Sequence, residues 1–274
     1  MHYLGSKSSI AQDILNIVLS GFGSTYMTYV EPFVGSCSVI KHVQVYDGTR
    51  VIGFDKNHYL IALLNYGKVS LNCEDPATCG FGHRHYDQSD FIGKDVSQEE
   101  YLHIRQVAKL PAEERMAAGY TDEYIGYVGF FFSIQDDFFS GYRATSTRSI
   151  ASLKSFIRTV DMLHKKELYA LDYQRLTEIL PAEPIIIYAD PPHVGTKFTG
   201  HSFIHNWLNI KRQDFEAHAM EWAKTHKVFI SDYIMNPQFK EVWAARDYLE
   251  LHGEELNIKR AAKRTAKIEK LFTI

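Results

Sequence analysis

Residues 27–43, MTYVEPFVGSCSVIKHV, and residues 50–55, RVIGFD, decide the fold. A short β-rich run through Tyr29 and Val30 ends in Glu31-Pro32-Phe33. Gly35, Ser36 and Ser38 then make a small-residue turn, after which the spacing predicts a helix. RVIGFD reads as a second buried strand that closes on an acid, Asp55. Strand, turn, helix, strand is the opening of an α/β sheet with parallel strands. Gly35 and Asp55 stand twenty residues apart. A small-residue turn lets backbone approach a ligand, and an acid ending the second strand can accept two hydrogen bonds from a ribose. Together they point to nucleoside binding, although each half alone is read equally well as structure.

Working outward, residues 8–20 place Ile10, Ile14, Ile17 and Val18 at helical spacing before Gly21 and Gly23. Helices are expected at 57–67, closing at Gly67, and at 149–164. Tyr169–Tyr173, Ile185–Ala189 and Val228–Ser231 are further strands, the last two apolar throughout, as buried parallel strands are. From 68 to 148 the character changes. Turn formers, histidines and aromatics cluster, a helical stretch covers 97–110, and GYVGFFFSIQDDFFSGYRATSTRS follows. This stretch reads as an insertion, with 1–67 and 149–274 forming the sheet-bearing domain.

Composition narrows the function classes. Hydrophobic residues make up 45% of the 274 and charged residues 23%, which excludes wholesale disorder. No run of about 18 apolar residues exists, so no membrane span is expected, and MHYLGSKSSI lacks the apolar region of a secretory signal. Three cysteines are too few for a disulfide scaffold, which suits a reducing cytoplasm. The net charge of −3 argues against a general polyanion binder, but its distribution is uneven. Residues 259–270 hold six basic side chains against Glu269, a local +5 that leaves −8 on the rest. Such a segment reads either as a solvated basic helix face or as one turned toward a polyanion.

A second constellation is Ile185-Ile186-Ile187-Tyr188-Ala189-Asp190-Pro191-Pro192-His193. An apolar strand runs into an acid and two prolines, whose fixed φ makes a rigid tip with carbonyls aimed outward. Asp190 and the Pro191 carbonyl can accept both hydrogens of an exocyclic amino group, and His193 offers a flat ring beside them. The alternative is a stiff loop after a core strand. Against it, the carboxyl end of a parallel strand is where such sheets place their ligands.

The chain resembles the Dam-type, D12-class DNA adenine-N6 methyltransferases, especially those of bacteriophages, over nearly its whole length. Tyr3-Leu4-Gly5-Ser6-Lys7 is similar to the N-terminal cofactor motif, and Tyr29 to Gly35 to the Phe-x-Gly motif, with Asp55 as the ribose acid. Leu171-Asp172-Tyr173 resembles the strand motif beside the cofactor's adenine, and Asp190-Pro191-Pro192 the first three positions of the catalytic Asp-Pro-Pro-Tyr tetrad. Residues 228–233 (VFISDY) and Glu269-Lys270-Leu271-Phe272 also resemble phage members. The resemblance implies a Rossmann-like methyltransferase sheet carrying an inserted DNA-recognition region at 68–148. It implies S-adenosylmethionine as donor, no metal, and double-stranded DNA as partner. By the same resemblance Tyr3, Lys7, Phe33, Gly35, Asp55, Asp172 and Tyr173 would line the cofactor site. Asp190, Pro191, Pro192 and His193 would act on an adenine extruded from the duplex.

Three places in the chain depart from the family pattern. His193 stands where an aromatic, usually Tyr, stacks on the base; Asp136 and Asp137 replace a Gly- and Lys-bearing stretch; and Cys37 occupies a common glycine position. A catalytically silent homologue, or an enzyme with an altered acceptor, is therefore carried beside the adenine reading. Tyr142, Arg143 and Arg148 in the insertion, with Lys263 and Arg264 in the basic tail, are the candidate DNA contacts. Cys73, Cys79, His83 and His85 are all zinc-ligating types, but their Cys-x5-Cys spacing exceeds the usual two to four residues, so they read as a polar loop.

Overall fold

The computed structural model describes residues 7–20, 22, 26–70, 91–134, 137–145, 147–192, 210–233, 235–244 and 269–274, and of residues 70 and 147–150 the backbone alone. In chain order the elements are α1 (Ala11–Val18), β1 (Thr28–Glu31), β2 (Arg50–Asp55), α2 (His58–Ser70), α3 (Gln98–Val107) and α4 (Ala112–Ala117). There follow α5 (Asp122–Phe131), α6 (Thr147–Leu163), β3 (Glu167–Ala170), β4 (Ile186–Ala189), α7 (Arg212–Trp222), β5 (Lys227–Asp232), β6 (Lys240–Ala244) and β7 (Lys270–Thr273).

The seven strands form one sheet in the order β3-β2-β1-β4-β5-β7-β6. β3, β2, β1, β4 and β5 are parallel, and β7 enters antiparallel between β5 and β6. Side chains alternate between two apolar layers, as the two-residue period of a strand requires. Val51, Ile186, Tyr188 and Phe229 join the layer under α1, α2, α5 and α6. Ile52, Phe54, Ile187, Ala189, Val228 and Ile230 join the opposite layer, with Phe215 and Trp222 of α7. Both faces are covered, which is why β1 and β4 are buried at every position. The edge strands differ. β3 and β6 carry exposed positions, with Lys240 and Glu241 on the outer edge of β6, a charge pattern that discourages edge-to-edge pairing. The result is a Rossmann-like sheet with an antiparallel strand inserted near one edge.

Several sequence expectations are corrected here. The turn after β1 leads to a single 3-10 turn, Ile40–His42, rather than to a helix. Gly35 and Cys37 both have positive φ, +45° and +58°, and that left-handed backbone folds the segment back against β2. Cys37, buried, therefore holds a conformation that costs an L-residue about 1–2 kcal/mol. The strand expected at Tyr169–Tyr173 ends at Ala170; Asp172 caps a 3-10 helix over Tyr173–Glu178 instead. α2 does not stop at Gly67. A Cβ there would sit 2.9 Å from Phe156 and 3.0 Å from Val160 of α6, so this glycine lets two helices approach rather than ending one.

The described part of 68–148 also shares the sheet's core. α5 is buried from Ile125 to Phe131, and a Cβ at Gly126 would meet the Tyr59 carbonyl of α2 at 2.4 Å. Phe130, Phe138 and Phe139 fill the same layer as Tyr59 and Leu60. Among the described residues no helix is long and apolar enough to cross a membrane.

Candidate active site

β1 and β4 are neighbours, with Tyr29 opposite Ile186 and Val30 opposite Ile187, yet the chain leaves them toward opposite sides of the sheet. Such a switch point opens a crevice at the carboxyl ends of the two strands, where ligands bind in open α/β sheets. The expected site residues that fall among those described gather there.

The turn after β1 is tied to the end of β2. The Val34 N–H donates to the Phe54 carbonyl at 2.9 Å, and the Gly35 N–H donates to Asp55 Oδ2 at 3.0 Å. The other oxygen, Oδ1, accepts the Asn57 N–H at 2.8 Å at the start of α2. Burial pushes the Asp55 carboxyl up to about 6, and these two amide hydrogen bonds hold the rise in check. On the far side of β2 the Leu171 N–H donates to the Asp55 carbonyl at 3.0 Å, which brings the loop after β3 alongside. Asp172 caps Gln174 and pairs with Lys56 at 2.7 Å. Tyr173, buried, lies 5.3 Å from the half-buried Phe33 ring, and Phe215 closes the group 5.7 Å from Phe33. Phe33, Gly35, Asp55, Asp172 and Tyr173, expected as cofactor residues, thus form one continuous wall.

Lys7 lies elsewhere in the crevice than that wall. Its ammonium is buried, with 5% of the residue exposed, and stands 2.8 Å from Asp190 Oδ1 and 3.6 Å from Glu269 Oε2. Burial lowers its pKa, but Asp190 and Glu269 outweigh that effect and raise it above the ordinary lysine value. Beneath lies Glu31, fully buried, accepting the Tyr29 hydroxyl at 2.6 Å. Burial lifts its carboxyl well above the usual range, and the charge on Asp190 adds to the rise while the tyrosine bond opposes it. The next strand is locked by a 2.8 Å hydrogen bond between the Tyr188 and Ser231 hydroxyls and by the ion pair of Asp232 with Arg212 at 2.9 Å.

Two candidate DNA contacts are engaged inside the protein. The Tyr142 hydroxyl donates to the Val96 carbonyl at 2.9 Å, and Arg143 donates through Nη2 to the Phe131 carbonyl at 3.2 Å. Backbone acceptors of this kind leave no trace in a sequence. Tyr3, Asp136, His193, Lys263 and Arg264 lie outside the described residues, as do Cys73, Cys79, His83, His85 and the side chain of Arg148. Pro191 and Pro192 follow β4 directly, as expected. Motif and spacing assign no role to Lys56, Glu31, Arg212 or Glu269. Only the acid in Glu-Pro-Phe and the acid before Lys270-Leu271-Phe272 carry a signal for any of them.

The arrangement combines an acidic, aromatic wall beside a glycine turn with a carboxylate held by a buried ammonium at the head of two prolines. A family model for D12 class N6 adenine-specific DNA methyltransferases matches residues 3–257. Comparison with curated proteins gives no match. With a match that runs through both strand ends of the crevice, the chain belongs to the D12 class N6 adenine-specific DNA methyltransferases, enzymes that transfer a methyl group to the N6 amino group of adenine in DNA.

Proposed function

We propose that the methyl donor is S-adenosylmethionine and that Asp190, Pro191, Pro192 and His193 present an extruded adenine to it. The observation that carries this reading is the Lys7–Asp190 pair at the carboxyl end of β4, next to the β1 turn. When bound, the donor supplies an electrophilic sulfonium methyl. The residues of the wall fit it. An ionised carboxylate has about four acceptor sites, so Asp55, with one amide on each oxygen, keeps capacity for two ribose hydroxyls. Phe33 and Tyr173, rings tilted 42° to each other, give an aromatic lining for the donor's adenine, and Asp172 with Lys56 a polar end to it.

On the acceptor side, the Asp190 carboxylate, paired with Lys7 through Oδ1, accepts one amino hydrogen, and the Pro191 carbonyl takes the other. These two bonds draw the nitrogen lone pair out of conjugation and aim it at the methyl group. Transfer is then an in-line displacement helped mainly by positioning and fixed charge. His193 stacks on the base as neutral imidazole, since a cation there would face the positive sulfonium.

The segment 68–148 is proposed as the target-recognition region. Tyr142 and Arg143, bonded inward, shape its last loop, while Arg148, Lys263 and Arg264 bind phosphates. Changing Lys263 and Arg264 together to Glu is expected to weaken duplex binding. The log–log salt slope should fall by about one unit for each phosphate no longer neutralised. An unchanged slope removes the tail from the DNA face.

Asp55 gives a test of the donor site. Its carboxyl titrates at about 6, raised by burial, and only the ionised form accepts from both hydroxyls. Affinity for S-adenosylmethionine is therefore full above that pH and declines as pH falls through it. Asp55→Ala is expected to lower affinity about ten- to hundredfold and to remove the pH dependence, on the scale of hydrogen bonds to a charged group. Calorimetry between pH 5 and 8 decides it. Affinity that is flat with pH and insensitive to Asp55→Ala rejects the assignment.

A further inference from the structure

Glu269 takes no part in the steps above, yet the fold carries it to the catalytic acid. β7 runs antiparallel to β5 with Lys270 opposite Asp232, so the residue before Lys270 arrives at the carboxyl edge of the sheet. There Glu269 Oε2 lies 3.6 Å from Lys7 Nζ, the same ammonium that pairs with Asp190 at 2.8 Å. The side chains of Lys7 and Glu269 are only 6% and 12% exposed, against 21% for Asp190. Two carboxylates, from residues 79 apart in sequence, thus share one buried cation.

We infer that Glu269 is a positioning residue for methyl transfer: as the second carboxylate on the Lys7 ammonium, it fixes where that ammonium stands against Asp190. This rests on the reading of Asp190 as the acceptor of the adenine amino hydrogen. Two carboxylates confine a flexible lysine more than one does. The charge balance works in the same direction. Burial is the largest influence on Lys7 and opposes its charge; Asp190, Glu269 and the Tyr233 hydroxyl are the groups that favour it. Neutralising Glu269 removes one of the groups that oppose burial, so the pKa of Lys7 should fall.

The test uses the full chain with S-adenosylmethionine and unmethylated duplex DNA of mixed sequence. Glu269→Gln keeps the side-chain volume. It is expected to lower kcat about tenfold, the worth of one hydrogen bond to a charged group, with KM for donor and DNA little changed. Any alkaline loss of kcat should also begin at lower pH than in the unaltered protein, while Glu269→Asp restores most of the rate. In a double-mutant cycle, Glu269→Gln should cost nothing further once Lys7→Met is present, because both changes act through the same ammonium. The double variant carries no unpaired cation, so it keeps the comparison available if Glu269→Gln alone folds poorly. An unmoved pH profile, or losses that multiply in the cycle, overturn the inference and make Glu269 merely structural. Failure of the underlying reading looks different: Asp190→Ala would then retain transfer whatever Glu269 does.

Discussion

Replacing Asp190 with alanine is expected to lower methyl transfer to duplex DNA by on the order of 10³-fold, the scale of losing a preorganised group at the reacting atoms. The effect should fall on kcat. The variant keeps every side chain of the wall formed by Phe33, Asp55 and Tyr173, so donor affinity should change little. The substitution leaves Lys7, 5% exposed, facing Glu269 at 3.6 Å, so a buried cation loses its nearer partner and the fold should be somewhat less stable. Asp190→Asn separates the two consequences. It keeps the shape and one acceptor oxygen but loses the charge opposite Lys7, and should fall between the wild type and the alanine variant. Single-turnover rates with saturating donor, alongside thermal melting, distinguish lost chemistry from lost fold. A stable Asp190→Ala protein that methylates at the wild-type rate contradicts the proposed mechanism.

His193 carries the second large effect. Stacking of a ring on an extruded base contributes about 1–3 kcal/mol, so His193→Ala should lose about ten- to hundredfold in rate with donor affinity unchanged. His193→Tyr should keep or raise adenine methylation. The two rings also differ in pH response. Imidazole gains a positive charge as pH falls from neutrality and phenol does not. At saturating donor, where the Asp55 effect on affinity drops out, the wild type should lose kcat on the acid side and His193→Tyr should not. Inactivity of His193→Tyr on every adenine-containing duplex, with donor bound, favours the silent or altered-acceptor homologue instead.

The sheet was legible where its chemistry is local. β1, β2, β4 and β5 are short, mostly apolar runs, because both faces of a parallel sheet are covered, and all four end in an acid or lead straight into one. α1 and α6 show their buried faces in helical spacing. α5 does not, because it is apolar nearly all round and carries two glycines. A Cβ at Gly129 would lie 2.2 Å from the Phe138 ring, so the glycines that look like breaks are packing positions. β6 and β7 escaped for a different reason. One is a mostly exposed edge strand with a bulge, and the other is four residues long and pairs across 38 to 44 positions to β5.

The site divides the same way. The acids at strand ends and the glycine turn could be placed from spacing alone. The Lys7–Asp190 pair joins residues 183 positions apart, and nothing local marks either as the other's partner. The inward bonds of Tyr142 and Arg143 depend on carbonyls whose direction only the folded chain sets. Cys37 is the one departure whose consequence the backbone reveals, as a left-handed residue where glycine is free and cysteine is strained.

The most direct measurement of the central claim is transfer of a labelled methyl group from S-adenosylmethionine to unmethylated duplex DNA, followed by nucleoside mass spectrometry. The wild-type chain should yield labelled N6-methyladenine, and Asp190→Ala, folded and donor-bound, should yield none above background. Label confined to N4-methylcytosine, or no label from a folded wild type that binds both donor and DNA, would contradict the account.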